Sequence, residues 1–200
     1  MEDLVKLRKF VAPEVVFGNG SRHLVGKYCK QFGARKVLIV TDPGVIKAGW
    51  LVDVQSSLEK QGLPYVVYSN VSPNPRSFEV EEGAKLFHNS GSNLIVSVGG
   101  GSPMDCAKAI GIVVTNNNSI LNFEGVDRIP EPIPPLVFIP TTAGSSADVS
   151  QFCIITDMEE RVKIAIVSKA VVPDVSLIDP LTTKTMNSYL TACTGIDAMV

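Results

Sequence analysis

The sequence is poor in the side chains that build zinc and disulfide frameworks. It has two histidines, His23 and His88, and four scattered cysteines, Cys29, Cys106, Cys153 and Cys193, with no Cys-x-x-Cys pair. A disulfide scaffold and a zinc ribbon are thereby excluded, and the cysteines read as reduced core thiols. Charge of one sign is also missing. With 18 basic against 20 acidic residues, the chain has no electrostatic footprint for nucleic acid or an anionic membrane. No apolar run approaches the roughly 18 residues of a spanning helix, and Met1 to Lys6 holds no apolar leader, so a cytoplasmic location is expected. Asn70-Val71-Ser72 and Asn117-Asn118-Ser119 then read as chance matches to the glycosylation sequon. The G-x-G-x-x-G dinucleotide fingerprint is absent too; Gly18-Asn19-Gly20 does not supply it.

What is present is a pattern. Short β-branched runs at Lys36 to Thr41, Tyr65 to Tyr68, Asn93 to Val98, Leu136 to Ile139 and Val175 to Ile178 read as buried strands. Helical patterns at Ser21 to Phe32, Gly49 to Gln61, Ser77 to Asn89 and Pro103 to Val114 separate them. This alternation predicts an α/β fold with a doubly wound, mostly parallel sheet. Phe152 to Thr156 and Val162 to Val167, around the polar Asp157 to Arg161, predict a β-hairpin, and the four prolines of Val126 to Pro135 an exposed loop. Pro180 opens an expected helix that runs toward Cys193 and stops at Thr194-Gly195. Ile196 to Val200 then starts a further helix-like run, so the chain is expected to be a piece of a longer protein.

The most informative stretch is Leu94 to Gly111, where an apolar strand ends in Gly99-Gly100-Gly101 and a helix begins at once. Glycines let the main chain approach a phosphate without an obstructing Cβ, and free amides at a helix start attract the anion. Ser102 is the expected N-cap, Pro103 the first helical residue, and Asp105 falls in the first turn. A tight turn with no ligand is the alternative. A hydroxyl-rich loop, Pro140 to Asp148 with Thr141 and Thr142, follows another strand, so both loops can face one crevice at the carboxyl ends of a parallel sheet. Asp42 reads either as an acceptor for an adenosine ribose hydroxyl or as a helix cap before Pro43. Asn74, between two prolines, reads alone as a turn residue, and Asp197 alone as a helix cap.

Taken in order, Thr41-Asp42, Pro73-Asn74-Pro75, Gly99-Gly100-Gly101-Ser102-Pro103-Met104-Asp105, Pro140-Thr141-Thr142-Ala143-Gly144, the Thr156-Asp157 hairpin with Lys163, and Thr194-Gly195-Ile196-Asp197-Ala198 resemble the iron-containing (group III) alcohol dehydrogenases of the dehydroquinate synthase-like fold. The resemblance implies that residues 1–200 form the dinucleotide-binding α/β domain, cut at the start of an all-helical metal-binding domain. It implies that Asp42, Asn74, Gly99, Gly100, Gly101, Ser102, Asp105, Thr141, Thr142, Ser150, Phe152, Lys163 and Leu181 line NAD, with NADP disfavoured. It further implies that Asp197 is a carboxylate ligand of a divalent metal, Fe2+ before Zn2+, whose histidine ligands lie beyond residue 200. His23 and His88 match no ligand position. Ser145 to Ser150 depart from the commoner run Thr-Gly-Ser-Glu-Val-Thr but keep hydroxyls and a carboxylate, so an altered fit is expected.

The implied activity is hydride transfer between a primary alcohol and its aldehyde, with the 200 residues alone inactive and a homo-oligomer left open. Rival readings are a glycerol dehydrogenase, a dehydroquinate synthase-like lyase, and a non-catalytic NAD(H)-binding module.

Overall fold

The computed structural model describes residues 11–200; the reading of Met1 to Lys6 lies outside them. In chain order the strands are β1 (Glu14–Phe17), β2 (Val37–Val40), β3 (Tyr65–Tyr68), β4 (Leu94–Gly99), β5 (Gly125–Val126), β6 (Leu136–Pro140), β7 (Phe152–Asp157), β8 (Val162–Val167) and β9 (Val175–Ile178). The α-helices are α1 (Val25–Gln31), α2 (Pro43–Ala48), α3 (Trp50–Lys60), α4 (Ser77–Ser90), α5 (Gly101–Asn116) and α6 (Ser188–Asp197).

Six strands form one sheet in the order β1-β9-β6-β4-β2-β3, and every neighbouring pair in it is parallel. The five expected strands are all there, because each is an apolar run covered on both faces. Side chains alternate between two cores: Leu38, Val40, Ile95, Leu136 and Phe138 face the helices α4 and α5, while Val37, Ile39, Val96, Val137 and Ile139 face α1 and α3. All of these are essentially fully buried, and each such side chain contributes roughly 1.5–3 kcal/mol of transfer free energy.

The sequence reading misses two strands, β1 and the two-residue β5. β1 is four residues long and lies at the sheet edge with three of them exposed, and its apolar run, Val15 to Phe17, is shorter than those of the expected strands. Between β2 and β4 the winding reverses: the chain steps outward to β3, then returns to lay β4 on the other side of β2. Crevices of parallel sheets open at such a reversal, outside the carboxyl ends of the strands.

The expected hairpin is β7 and β8, antiparallel over six residue pairs, with Asp157 Oδ1 accepting from the Glu159 amide at its tip. The proline-rich stretch is not wholly exposed. It opens with β5, which pairs parallel to β8, and Ile129 and Ile133 pack on the core. Cys29, Cys106 and Cys153 are buried as expected, but Cys193 is exposed, since α6 buries none of its side chains fully.

The end of the chain also differs. Pro180–Thr185 is a 3-10 helix capped by Asp179. Met186 and Asn187 are extended, and Asn187 then caps α6, its Oδ1 accepting from the Leu190 amide at 2.8 Å. Thr194 and Gly195 do not stop that helix; it runs on to Asp197. Among the described residues no helix is long and apolar enough to cross a membrane.

Candidate dinucleotide site

At the reversal point a cleft of about 960 Å³ opens. Its walls come from the ends of β2, β3, β4 and β6, with α6 and the stretch before it closing the far side. Asp42, Gly100, Gly101, Ser102, Thr141, Thr142 and Asp197 all line it. A smaller adjoining cavity of about 530 Å³ gathers Asn74, Asp105, Ser150, Phe152 and Lys163 around Gly101, Ser102 and Asp197. Gly99 lies behind this surface, and Leu181 lines neither space; its amide donates to Asp179 Oδ1 at 3.1 Å.

The triple glycine is used by the protein's own packing. A Cβ on Gly99, whose φ is +159°, would lie 2.6 Å from the Pro103 ring; one on Gly100 would press Thr142, and one on Gly101 would press Ser145. The chain therefore turns into the helix earlier than expected. Gly100, in extended conformation, is the N-cap residue, Ser102 is the second helical residue rather than the cap, and Asp105 falls beyond the first turn. No side chain caps α5. Gly101 and Ser102 line the cleft, so the first amides of a 16-residue helix, which have no intrahelical partner, and its positive end lie at the cleft wall.

Asn74 holds three segments together. Its backbone is left-handed, with φ 58°. Its amide donates to Ser102 Oγ at 3.2 Å, its carbonyl accepts from Thr156 Oγ1 at 3.3 Å, and its Oδ1 accepts from Lys163 Nζ at 2.6 Å. Glu79 fixes the same loop from below. Its buried carboxylate accepts from Ser72 Oγ at 2.7 Å and from the Arg76 amide at 3.0 Å, the glutamate half of a capping box at the start of α4. The Ser/Arg-to-Glu spacing is visible in the sequence, but its role in shaping this loop is not.

Lys108, fully buried on α5, was not anticipated. Its ammonium donates to the carbonyls of Ser150 at 2.9 Å and Phe152 at 2.7 Å, which anchors the start of β7. Burial pulls its pKa down against the pull of Asp105. Burial likewise pushes the Asp105 carboxyl up to about 6, with Lys108 opposing.

Asp42 caps α2, its Oδ1 accepting from the Val45 amide at 3.0 Å. Asp197 stands exposed at the end of α6 beside Gly144; a Cβ there would meet the Thr194 carbonyl oxygen at 2.5 Å and Asp197 Oδ2 at 3.1 Å. His23 and His88 are both exposed and away from either cavity. Sequence reasoning also overlooked Trp50, Met186, Asn187 and Leu190, all of which line the larger cleft.

Residues 12–180 match the model of the iron-containing alcohol dehydrogenases. The chain belongs to that family. It is 38% identical over 193 residues to 1,3-propanediol dehydrogenase of Citrobacter freundii, covering 95% of this chain and 50% of that protein. A crystal structure of a 1,3-propanediol oxidoreductase superposes with a TM-score of 0.95 at 36% identity, over 97% of this chain and 51% of that one. The NADH-dependent butanol dehydrogenase A of Thermotoga maritima gives 0.90 at 31% identity, over 97% and 49%. The chain thus spans about half the length of the relatives it matches.

Proposed function

We propose that this chain is the dinucleotide-holding half of an NAD-dependent oxidoreductase that interconverts a primary alcohol and its aldehyde. The observation that carries the reading is the uncapped start of α5, which opens into a large cleft at the point where the sheet reverses. Free amides and a helix dipole there fit a diphosphate. Relatives named for NADH and for alcohols supply the cofactor and substrate class.

The chain's own residues do the holding. Gly101 and Ser102 amides take the diphosphate, Asp42 accepts from the ribose, and Thr141 and Thr142 close the opposite wall. The Asn74, Lys163 and Ser102 linkage fixes the second cavity, where Asp105, Ser150 and Phe152 line the remainder of the cofactor. Leu181 acts from behind, through its contact with Asp179. A bound nicotinamide would supply the acceptor for the hydride that leaves the alcohol carbon. Fixing one reactant in this way converts part of the entropic barrier into binding.

A divalent metal, Fe2+ or Zn2+, would supply Lewis acidity at the alcohol oxygen. Among the described residues no three His, Cys, Asp or Glu side chains converge. Asp197 alone offers an exposed carboxylate in the cleft, so these residues by themselves do not form a metal centre.

The test is equilibrium titration of NADH into the full-length protein beside Gly100→Val, with circular dichroism as the check on folding. NADH should bind, and the folded variant should bind at least about tenfold more weakly, having lost the approach to the main chain. Equal affinity in the two proteins, or no NAD(H)-linked oxidation of short primary alcohols by metal-loaded full-length protein, overturns the reading.

A further inference from the structure

The single tryptophan of this sequence lies in an unusual setting. Trp50 opens α3 directly after Gly49, which is left-handed with φ 90°. The Arg22 guanidinium sits over its ring at 5.1 Å from the centroid. Its Nε1 donates to Thr185 Oγ1 at 2.9 Å. Arg22 in turn is held by Asp53 at 2.7 Å and by the buried Asp179 at 2.5 Å. The indole is therefore clamped from one face and at its only polar atom.

What Trp50 turns to the cleft is ring carbon, because its nitrogen is already satisfied. It lines the same cleft as Asp42, Pro43, Val45 and Ala48, and as Met186 and Leu190. Pro43 to Ala48 and Trp50 belong to α2 and the start of α3, which follow Asp42, whereas the diphosphate site is the start of α5. An ordered, apolar, aromatic wall suits a flat heteroaromatic ring, since every base has a π-face and a pre-set platform loses little entropy on binding.

We propose that Trp50 is the platform on which the purine base of the dinucleotide packs, with Arg22 and Thr185 as the residues that hold it in place. The proposal rests on the dinucleotide reading above and assigns the base end of that ligand.

The experiment uses ADP-ribose, which carries the base and both phosphates but no nicotinamide, and nicotinamide mononucleotide, which carries the opposite end. Each is titrated into the full-length protein, Trp50→Phe and Trp50→Ala, by calorimetry and by indole emission. Subtracting the Trp50→Phe trace isolates the emission of Trp50. ADP-ribose should quench that emission and nicotinamide mononucleotide should not. Trp50→Ala should bind ADP-ribose roughly tenfold more weakly, the size of a lost base–aromatic stack, and Trp50→Phe should recover most of the affinity. If NADH and ADP-ribose bind but Trp50→Ala matches the parent and the Trp50 emission does not respond, the platform is overturned and the dinucleotide reading stands. If neither NADH nor ADP-ribose binds folded parent protein, both fall.

Discussion

At the scale of single residues, Asp42 carries two roles that one substitution can separate. Its Oδ1 caps α2 through the Val45 amide, while its Oδ2 lies on the Gly99 side, 3.5 Å from where a Cβ on that glycine would stand. Replacing Asp42 with glycine or alanine would remove cap and charge together, and loss of a cap alone costs about 1 kcal/mol. Asp42→Asn keeps an acceptor for the Val45 amide and removes only the charge. The expected outcome is little change in melting temperature and a rise of about tenfold in the kcat/KM ratio of NADP to NAD, as repulsion of the 2′-phosphate is relieved. A ratio that does not move would take Asp42 out of cofactor selection and leave it a helix cap. Both readings of this residue were available from the sequence, where Asp-Pro after a strand already marks a cap. Trp50 was not legible as a cleft residue, because its place depends on Arg22, Asp179 and Thr185, which are distant in sequence.

At the scale of elements, agreement between sequence and structure follows burial. Strands β2, β4 and β6 are apolar on both faces and declare themselves, whereas α6, which buries no side chain fully, was misjudged at both ends. Its start is set by the Asn187 cap, whose side chain accepts from the Leu190 amide, and periodicity does not report a cap. The contact that seats α6 on the cleft is Gly144, with φ 157° and no room for a Cβ before the Thr194 carbonyl at 2.5 Å. Because α6 has little else to hold it, it should yield before the loop does. Gly144→Ala is expected to speed amide hydrogen exchange over residues 188–197 while leaving the strands of the central sheet protected, at a cost of about 1–3 kcal/mol. Unchanged exchange in α6 would show that the loop, not the helix, accommodates the methyl group.

At the scale of the whole molecule, the parallel sheet and its crevice were legible because alternating strands and helices allow few windings. The polar tie at the β1–β9 side of that sheet was not, because it joins residues far apart in sequence. Asp179, at the end of β9 and fully buried at its side chain, accepts from the Gly20 amide and from Arg22, and Arg22 also bonds Asp53 on α3. Two ion pairs sharing Arg22 thus tie the segment after β1, the helix α3 and the end of β9. Burial alone would raise the Asp179 pKa, but Arg22 and the amides of Leu181 and Gly20 outweigh it and hold the carboxyl below its ordinary value. A carboxyl whose pKa is lowered by folding stabilises the folded state above its unfolded value, near pH 4, and that contribution fades as pH falls through the lower folded value. Asp179→Asn leaves Arg22 with Asp53 alone and should cost about 3 kcal/mol at pH 7, toward the lower end for a broken buried pair. Urea unfolding of parent and variant at descending pH should therefore show two midpoints that converge below pH 4. A gap that stays constant down to acid would mean that shape, and not the charge on Asp179, holds these three segments together.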